Sequence, residues 1–161
     1  MSCLHFLADS DWRLLRDSRL TALRDTPEAF LSTYEVEACY GERTWRREAA
    51  RGHWLVRSCR DHPLAVLGAT PEDDIAPDER YLSYLWVTAA DRRSGVATTL
   101  VTAMLARLAA TGVGRAWLWV VDGNEPARRL YHKLGFVRTG DRKPLSHDPT
   151  RFEERFTRPV P

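Results

Sequence analysis

One stretch, residues 85–136, constrains this chain more than any other. It begins with Leu85-Trp86-Val87, turns through Arg92-Arg93-Ser94-Gly95-Val96-Ala97, and continues into a long apolar helical pattern. A strand that feeds a tight Arg/Gly turn and opens a helix leaves the first helical N–H groups without intrahelical acceptors, and such an end attracts anions. Gly95 permits positive φ and leaves the backbone open to close approach, and Ala97 carries the next smallest side chain. Arg92 and Arg93 can make charge-assisted bonds to a pyrophosphate or 3′-phosphate, with the hydroxyls of Ser94, Thr98 and Thr99 in the same turn. Taken alone, this turn fits an ordinary strand-to-helix connection with a solvated Arg pair equally well, because short glycine motifs recur by chance.

The rest of the chain reads as strands and helices around this stretch. An apolar strand is expected at 4–7, then a helix capped by Ser10 with a stripe of Trp12, Leu15, Arg16, Arg19, Leu20 and Leu23. Pro27 interrupts it, and 28–40 reads as a second helical piece with Phe30, Leu31 and Tyr34 on one side. A short helix over 42–51 precedes two strands, 53–59 and 64–70, that read as a hairpin. Residues 71–80 form an acidic, proline-bearing connection that reads as solvated, although it could attract a cationic partner. A strand over 81–88 enters the Arg/Gly turn, and a helix runs from there to Thr111-Gly112. The run 117–121 reads as a central strand buried on both faces. Asn124 caps a further helix with Pro126 in its first turn, Ala127, Leu130, Tyr131 and Leu134 on one face, and Gly135 at its end. A strand over 136–139, a polar loop over 140–149 and a closing strand over 151–157 complete the order. The succession implies an α/β fold: a mixed central sheet of about six or seven strands with helices on both faces.

Composition excludes several classes of function. The 161 residues suit a single domain over 1–161, and a net charge of +2 is too weak to argue for nucleic acid. Cys3, Cys39 and Cys59 are odd in number and widely spaced, and the five His show no ligand spacing, so neither a disulfide framework nor a metal site is expected. No apolar run is long enough to span a bilayer and the first residues lack a leader pattern, so a cytoplasmic protein without a membrane partner is expected, as monomer or homodimer.

The motif Leu85-x-Val87-x-Ala89-x-x-Arg92-x-x-Gly95-x-Ala97, followed by Asn124-x-x-Ala127-x-x-Leu130-Tyr131-x-x-Leu134-Gly135-Phe136, resembles the acyl-CoA signature of the GNAT superfamily of N-acetyltransferases. Ala89 stands where that pattern usually has Pro and Ala97 where it often has Gly; neither departure removes a chemical group. The first half, with Arg19-Leu20-x-Ala22-Leu23-x-Asp25-x-Pro27-x-Ala29-Phe30, is similar to a bacterial branch of the superfamily with mixed substrates.

The resemblance implies that the central sheet is partly splayed and that acetyl-CoA is the cofactor. It implies pantetheine on the backbone of Leu85, Trp86 and Val87, and the pyrophosphate at Arg92, Arg93, Ser94, Gly95, Val96, Ala97 and Thr98. It adds Asn124, Ala127 and Arg128 on the cofactor side. Tyr131 lies seven residues beyond Asn124 on the same helix face and is implied as the general acid at the thioester sulfur, although it also shares an apolar packing face. An acceptor site is implied among Phe30, Ser32, Tyr34, Glu35, Tyr81, Ser83 and residues 141–147. The base is open between water relayed through Ser83 and Tyr81 and an acceptor-side carboxylate such as Glu35. The expected activity is acetyl transfer to the primary amine of a small-molecule or amino-acid-like acceptor. Acetylation of a protein or peptide amine and non-catalytic acyl-CoA binding are the alternatives. Acetyl-CoA at one hundred times its Kd is expected to stabilise the protein by about 2.7 kcal/mol, read as a rise in Tm by differential scanning fluorimetry.

Overall fold

The computed structural model describes residues 2–161. Seven strands form one mixed sheet in the order β1-β2-β3-β4-β5-β7-β6, with only β4 and β5 parallel among neighbours. The strands are β1 (Cys3–Phe6), β2 (His53–Cys59), β3 (His62–Thr70), β4 (Glu79–Val87), β5 (Arg115–Val121), β6 (Val137–Leu145) and β7 (Asp148–Pro159). Helices α1 (Trp12–Asp25) and α3 (Glu42–Ala50) cover one face, where Trp12, Leu15, Ala22, Trp45 and Ala49 pack on Trp54, Val56, Val66 and Trp86. Helices α4 (Val96–Ala110) and α5 (Glu125–Lys133) cover the other, where Leu100, Met104, Leu108 and Tyr131 meet Leu67, Leu82, Leu118 and Phe156. No helix among the described residues is long and apolar enough to cross a membrane.

Two expectations need correction. Residues 28–40 do not form one helix: a 3-10 turn at Pro27–Ala29 leads into extended backbone at Phe30, and only α2 (Tyr34–Ala38) is helical, capped by the Thr33 hydroxyl on the Val36 amide. Residues 140–149 are not a loop, because β6 and β7 form a long hairpin through them. Most of β6 is exposed, so its side chains carry no apolar alternation, and an outer strand tolerates both Pro144 and the irregular register between Arg138 and Arg142. Two smaller differences follow the local hydrogen bonds. Asp11 rather than Ser10 precedes α1, and its carboxylate accepts from the Ala8 amide at 2.8 Å. Strand β5 is buried on alternate residues only, with Trp117 and Trp119 half-buried on the side away from α4.

The feature that places the site lies in β4. Its parallel pairing with β5 covers Glu79 to Arg115, Arg80 to Ala116 and Tyr81 to Trp117 and then stops, so residues 83–87 pair with β3 on one side and have no strand on the other. Just beyond the last pair, Tyr84 adopts a left-handed conformation (φ +57°) within an irregular register against β3. The bulge reverses the facing of the strand. Leu82 packs toward α4, yet Tyr84, two residues on, packs toward α1, while Leu85 and Val87 return to the α4 side.

A buried polar cluster holds Tyr84 there. Its hydroxyl donates to Glu37 and accepts from Arg19 Nη2 at 3.1 Å, its ring stacks on Phe30 at 5.1 Å, and the Arg19 guanidinium lies 4.2 Å over its ring. Glu37 is fully buried and takes a two-pronged bond from Arg19 at 2.9 and 2.6 Å, and Arg19 also reaches Glu48 at 3.3 Å. Removing one member of a buried pair strands the other charge. Glu37→Ala is therefore expected to lower stability by about 3–5 kcal/mol, measured by urea unfolding.

Candidate active site

The turn after β4 delivers the first helical amides of α4 to the surface. Gly95 has φ +87° and precedes the helix, and a Cβ placed there would meet nothing within 4 Å. The amides of Gly95, Val96, Ala97 and Thr98 have no acceptor among the described residues; the first α4 amide to close a turn is that of Thr99, on the Gly95 carbonyl at 3.0 Å. Four consecutive unpaired N–H groups at the positive end of a fifteen-residue helix can donate to an anion.

The side chains around these amides are more engaged than the motif suggests. Arg92 donates from Nε to the Val87 carbonyl at 3.0 Å and from Nη2 to Asp25 at 2.6 Å, and Asp25 also accepts from Trp86 Nε1 at 2.9 Å. Arg92 thus ties the end of β4 to the end of α1. Arg93 is exposed in a left-handed conformation, φ +61°. The Ser94 hydroxyl donates to the Asp91 carbonyl and the Thr99 hydroxyl to that of Gly95 at 3.2 Å, whereas Thr98 is half-buried. Asn124 caps α5, its Oδ1 accepting from Ala127 at 3.2 Å. Arg128 turns into carboxylates, with Asp122 at 3.0 Å and Glu154 at 3.4 Å.

Tyr131 lies on the α5 face that packs against the sheet, 7% exposed and edge-on to Phe136 at 5.5 Å. Burial alone pushes its phenol well above the usual range, which keeps it protonated.

On the opposite face of the sheet, where β4 leaves β5, lies a cavity of about 680 Å³. Its aromatic wall comes from Phe30, Tyr40, Tyr81, Tyr84 and Trp119, and its polar lining from Ser32, Thr70, Ser83, the cations Arg19 and Lys143, and five carboxylates: Glu37, Glu72, Asp73, Asp74 and Glu153. Phe30, Ser32, Tyr81 and Ser83 share this one cavity. Tyr34 and Glu35 do not line it: Tyr34 packs under the Arg24 guanidinium at 4.1 Å, and Glu35 is exposed. The carboxylate of α2 that turns inward is Glu37, two residues further on.

The acidic stretch 71–80 is a solvated connection, with residues 73, 74 and 76–78 exposed, and two of its side chains tie it to its surroundings. Glu72 pairs with Arg51 at 2.9 Å, and Asp74 accepts from the Tyr81 hydroxyl at 3.2 Å. Glu79 opens β4 and accepts from Trp117 Nε1 at 2.7 Å. Burial and Asp74 push the Tyr81 phenol up to about 12, with Arg155 opposing.

A family model, described as acetyltransferase (GNAT) family, matches residues 16–136. The chain belongs to the GNAT acetyltransferase family. Its fold agrees with ribosomal-protein-S18-alanine N-acetyltransferase from Escherichia coli (TM-score 0.69, 19% identity, 99% of this chain and 94% of that one). A GNAT acetyltransferase from Streptococcus pneumoniae (0.75, 16%, all of both chains) and ribosomal-protein-alanine N-acetyltransferase from Brucella melitensis (0.75, 14%, 98% and 99%) share it as well. Comparison with curated protein sequences finds no match.

GNAT enzymes generally use acetyl-CoA, and two observations fit that group to this chain. The unpaired amides at 95–98 offer donors for a diphosphate, and the side of β4 left without a strand offers backbone groups for an extended arm. A carboxylate at Gly95 would put negative charge beside these amides. Gly95→Glu is expected to abolish the acetyl-CoA-induced rise in Tm, whereas Gly95→Ala, which adds only strain of about 1 kcal/mol, retains it; both are checked by scanning fluorimetry beside circular dichroism.

Proposed function

We propose that this chain is a single-domain, acetyl-CoA-dependent N-acetyltransferase acting by direct transfer on the primary amine of a small-molecule acceptor. The supporting observation is the parting of β4 from β5, with unpaired amides at its α4 end and an acidic, aromatic cavity on the α1 face. Acetyl-CoA supplies the acetyl thioester when bound. The amides of Gly95, Val96, Ala97 and Thr98 would hold its diphosphate, and the free edge of Leu85, Trp86 and Val87 would offer backbone groups to its pantetheine arm.

An amine enters mainly as ammonium and must shed a proton before it attacks. The Tyr81 hydroxyl, bonded to Asp74, and the neighbouring Ser83 line the cavity and give water a polar route for that proton. As the new C–N bond forms and the C–S bond breaks, Tyr131 donates its phenolic proton to the departing sulfur. A phenol held protonated by burial suits that role, and a purely binding module has no need of it.

A second reading, a protein or peptide amine as acceptor, draws on two structural neighbours named as ribosomal-protein alanine N-acetyltransferases. The cavity favours a compact cationic acceptor, because carboxylates outnumber its cations.

Tyr131→Phe keeps the ring against Phe136 and removes the proton. It is expected to lower kcat by roughly 10²–10⁴-fold while leaving the acetyl-CoA thermal shift intact. In the wild type, kcat is expected to hold level through pH 10, where an unperturbed phenol would be ionising; stopped assays of thiol release check both.

A further inference from the structure

The cavity already contains a primary ammonium, the protein's own. Lys143 reaches in from β6, and its Nζ lies 4.2 Å over the Trp119 ring and 3.4 Å from Glu153 Oε1. Trp119 stands two residues past the Tyr81 to Trp117 pair, where β4 and β5 separate. The amine therefore lies at the apex of the opening between the strands. Glu153 is 6% exposed, and its ion partner among the described residues is Lys143. A carboxylate buried beside an indole face is costly without a cation, and carboxylate plus aromatic face is the chemistry that selects one. Lys143 is half-exposed on an outer strand, so its side chain can swing aside. Across the cavity, Asp73 and Asp74 face the same space from the β3–β4 connection; Asp74 pairs with Arg155 at 3.8 Å, and Asp73 has no ion partner among the described residues.

We propose that Trp119 and Glu153 form the seat for the acceptor's primary alkylammonium, that Lys143 fills it when no acceptor is bound, and that Asp73 receives a second positive charge. The preferred acceptor is then an aliphatic diamine. This rests on the acetyltransferase reading above and names the acceptor class for the same site.

Steady-state kinetics with 1,4-diaminobutane, butylamine and alanine amide, run on wild type, Lys143→Met and Glu153→Gln beside an acetyl-CoA thermal shift, test it. Diaminobutane is expected to have a KM at least about tenfold below butylamine and alanine amide. Lys143→Met should lower that KM several-fold by removing the internal competitor, and Glu153→Gln should raise it about tenfold with the acetyl-CoA shift unchanged. If Glu153→Gln does not fold, the Lys143 variant and the three-amine comparison decide. A normal acetyl-CoA shift with equal KM values for the three amines, a preference for alanine amide, or an unchanged KM in Lys143→Met overturns the seat and leaves the enzyme standing. No acetyl-CoA shift in the wild type overturns the acetyltransferase reading itself.

Discussion

A buried arginine–glutamate pair underlies the geometry of this protein. Tyr84 sits in a left-handed conformation that costs a non-glycine residue about 1–3 kcal/mol, and such a residue persists only where its surroundings over-determine it. Arg19 from α1 and Glu37 from α2 supply that determination: both bond the phenol, Phe30 stacks on its ring, and Glu48 of α3 holds the far side of the guanidinium. One cluster thus gathers three helices onto the point where β4 bends. The bend turns Ser83 and Tyr84 toward the same cavity, sends Leu85 and Val87 back toward α4, and accompanies the separation of β4 from β5.

Charge is sorted around that separation. On the α4 side the unpaired amides present a fixed positive end that needs no side chain, and this frees Arg92 to serve as a strut between Val87 and Asp25. On the α1 side carboxylates dominate the cavity. An anionic cofactor and a cationic acceptor would thus enter from opposite faces of one sheet and meet where two strands part. Tyr131 approaches from the α4 face, where the sheet screens it from water and burial holds its proton in place.

Much of this was legible in the chain. The Arg/Gly turn, the Asn124 cap, the helix ending at Gly135 and the strands flanking the gap each carry local signals, such as a glycine at positive φ or an amide at an N-terminus, that tertiary packing does not override. What was hidden depended on contacts far apart in sequence. Arg19 reads only as a member of the α1 stripe, and nothing local points to Glu37, eighteen positions on, as its buried partner. Glu35 and Glu37 are indistinguishable by composition, and only the break at Phe30 decides which one turns inward. Strand β6 is polar on both faces and lacks the alternation that marks a half-buried strand, so Lys143 and Glu153 could not be placed opposite each other beforehand.

The outermost position of β6 has an evolutionary consequence. Its pairing is with β7 alone, most of its length faces solvent, and it contributes little to either hydrophobic core. Residues on that strand can change with small effect on folding, yet one of them projects to the place where the two central strands diverge. Variation on this rim would alter the lining of the cavity while the turn at the start of α4 stays untouched.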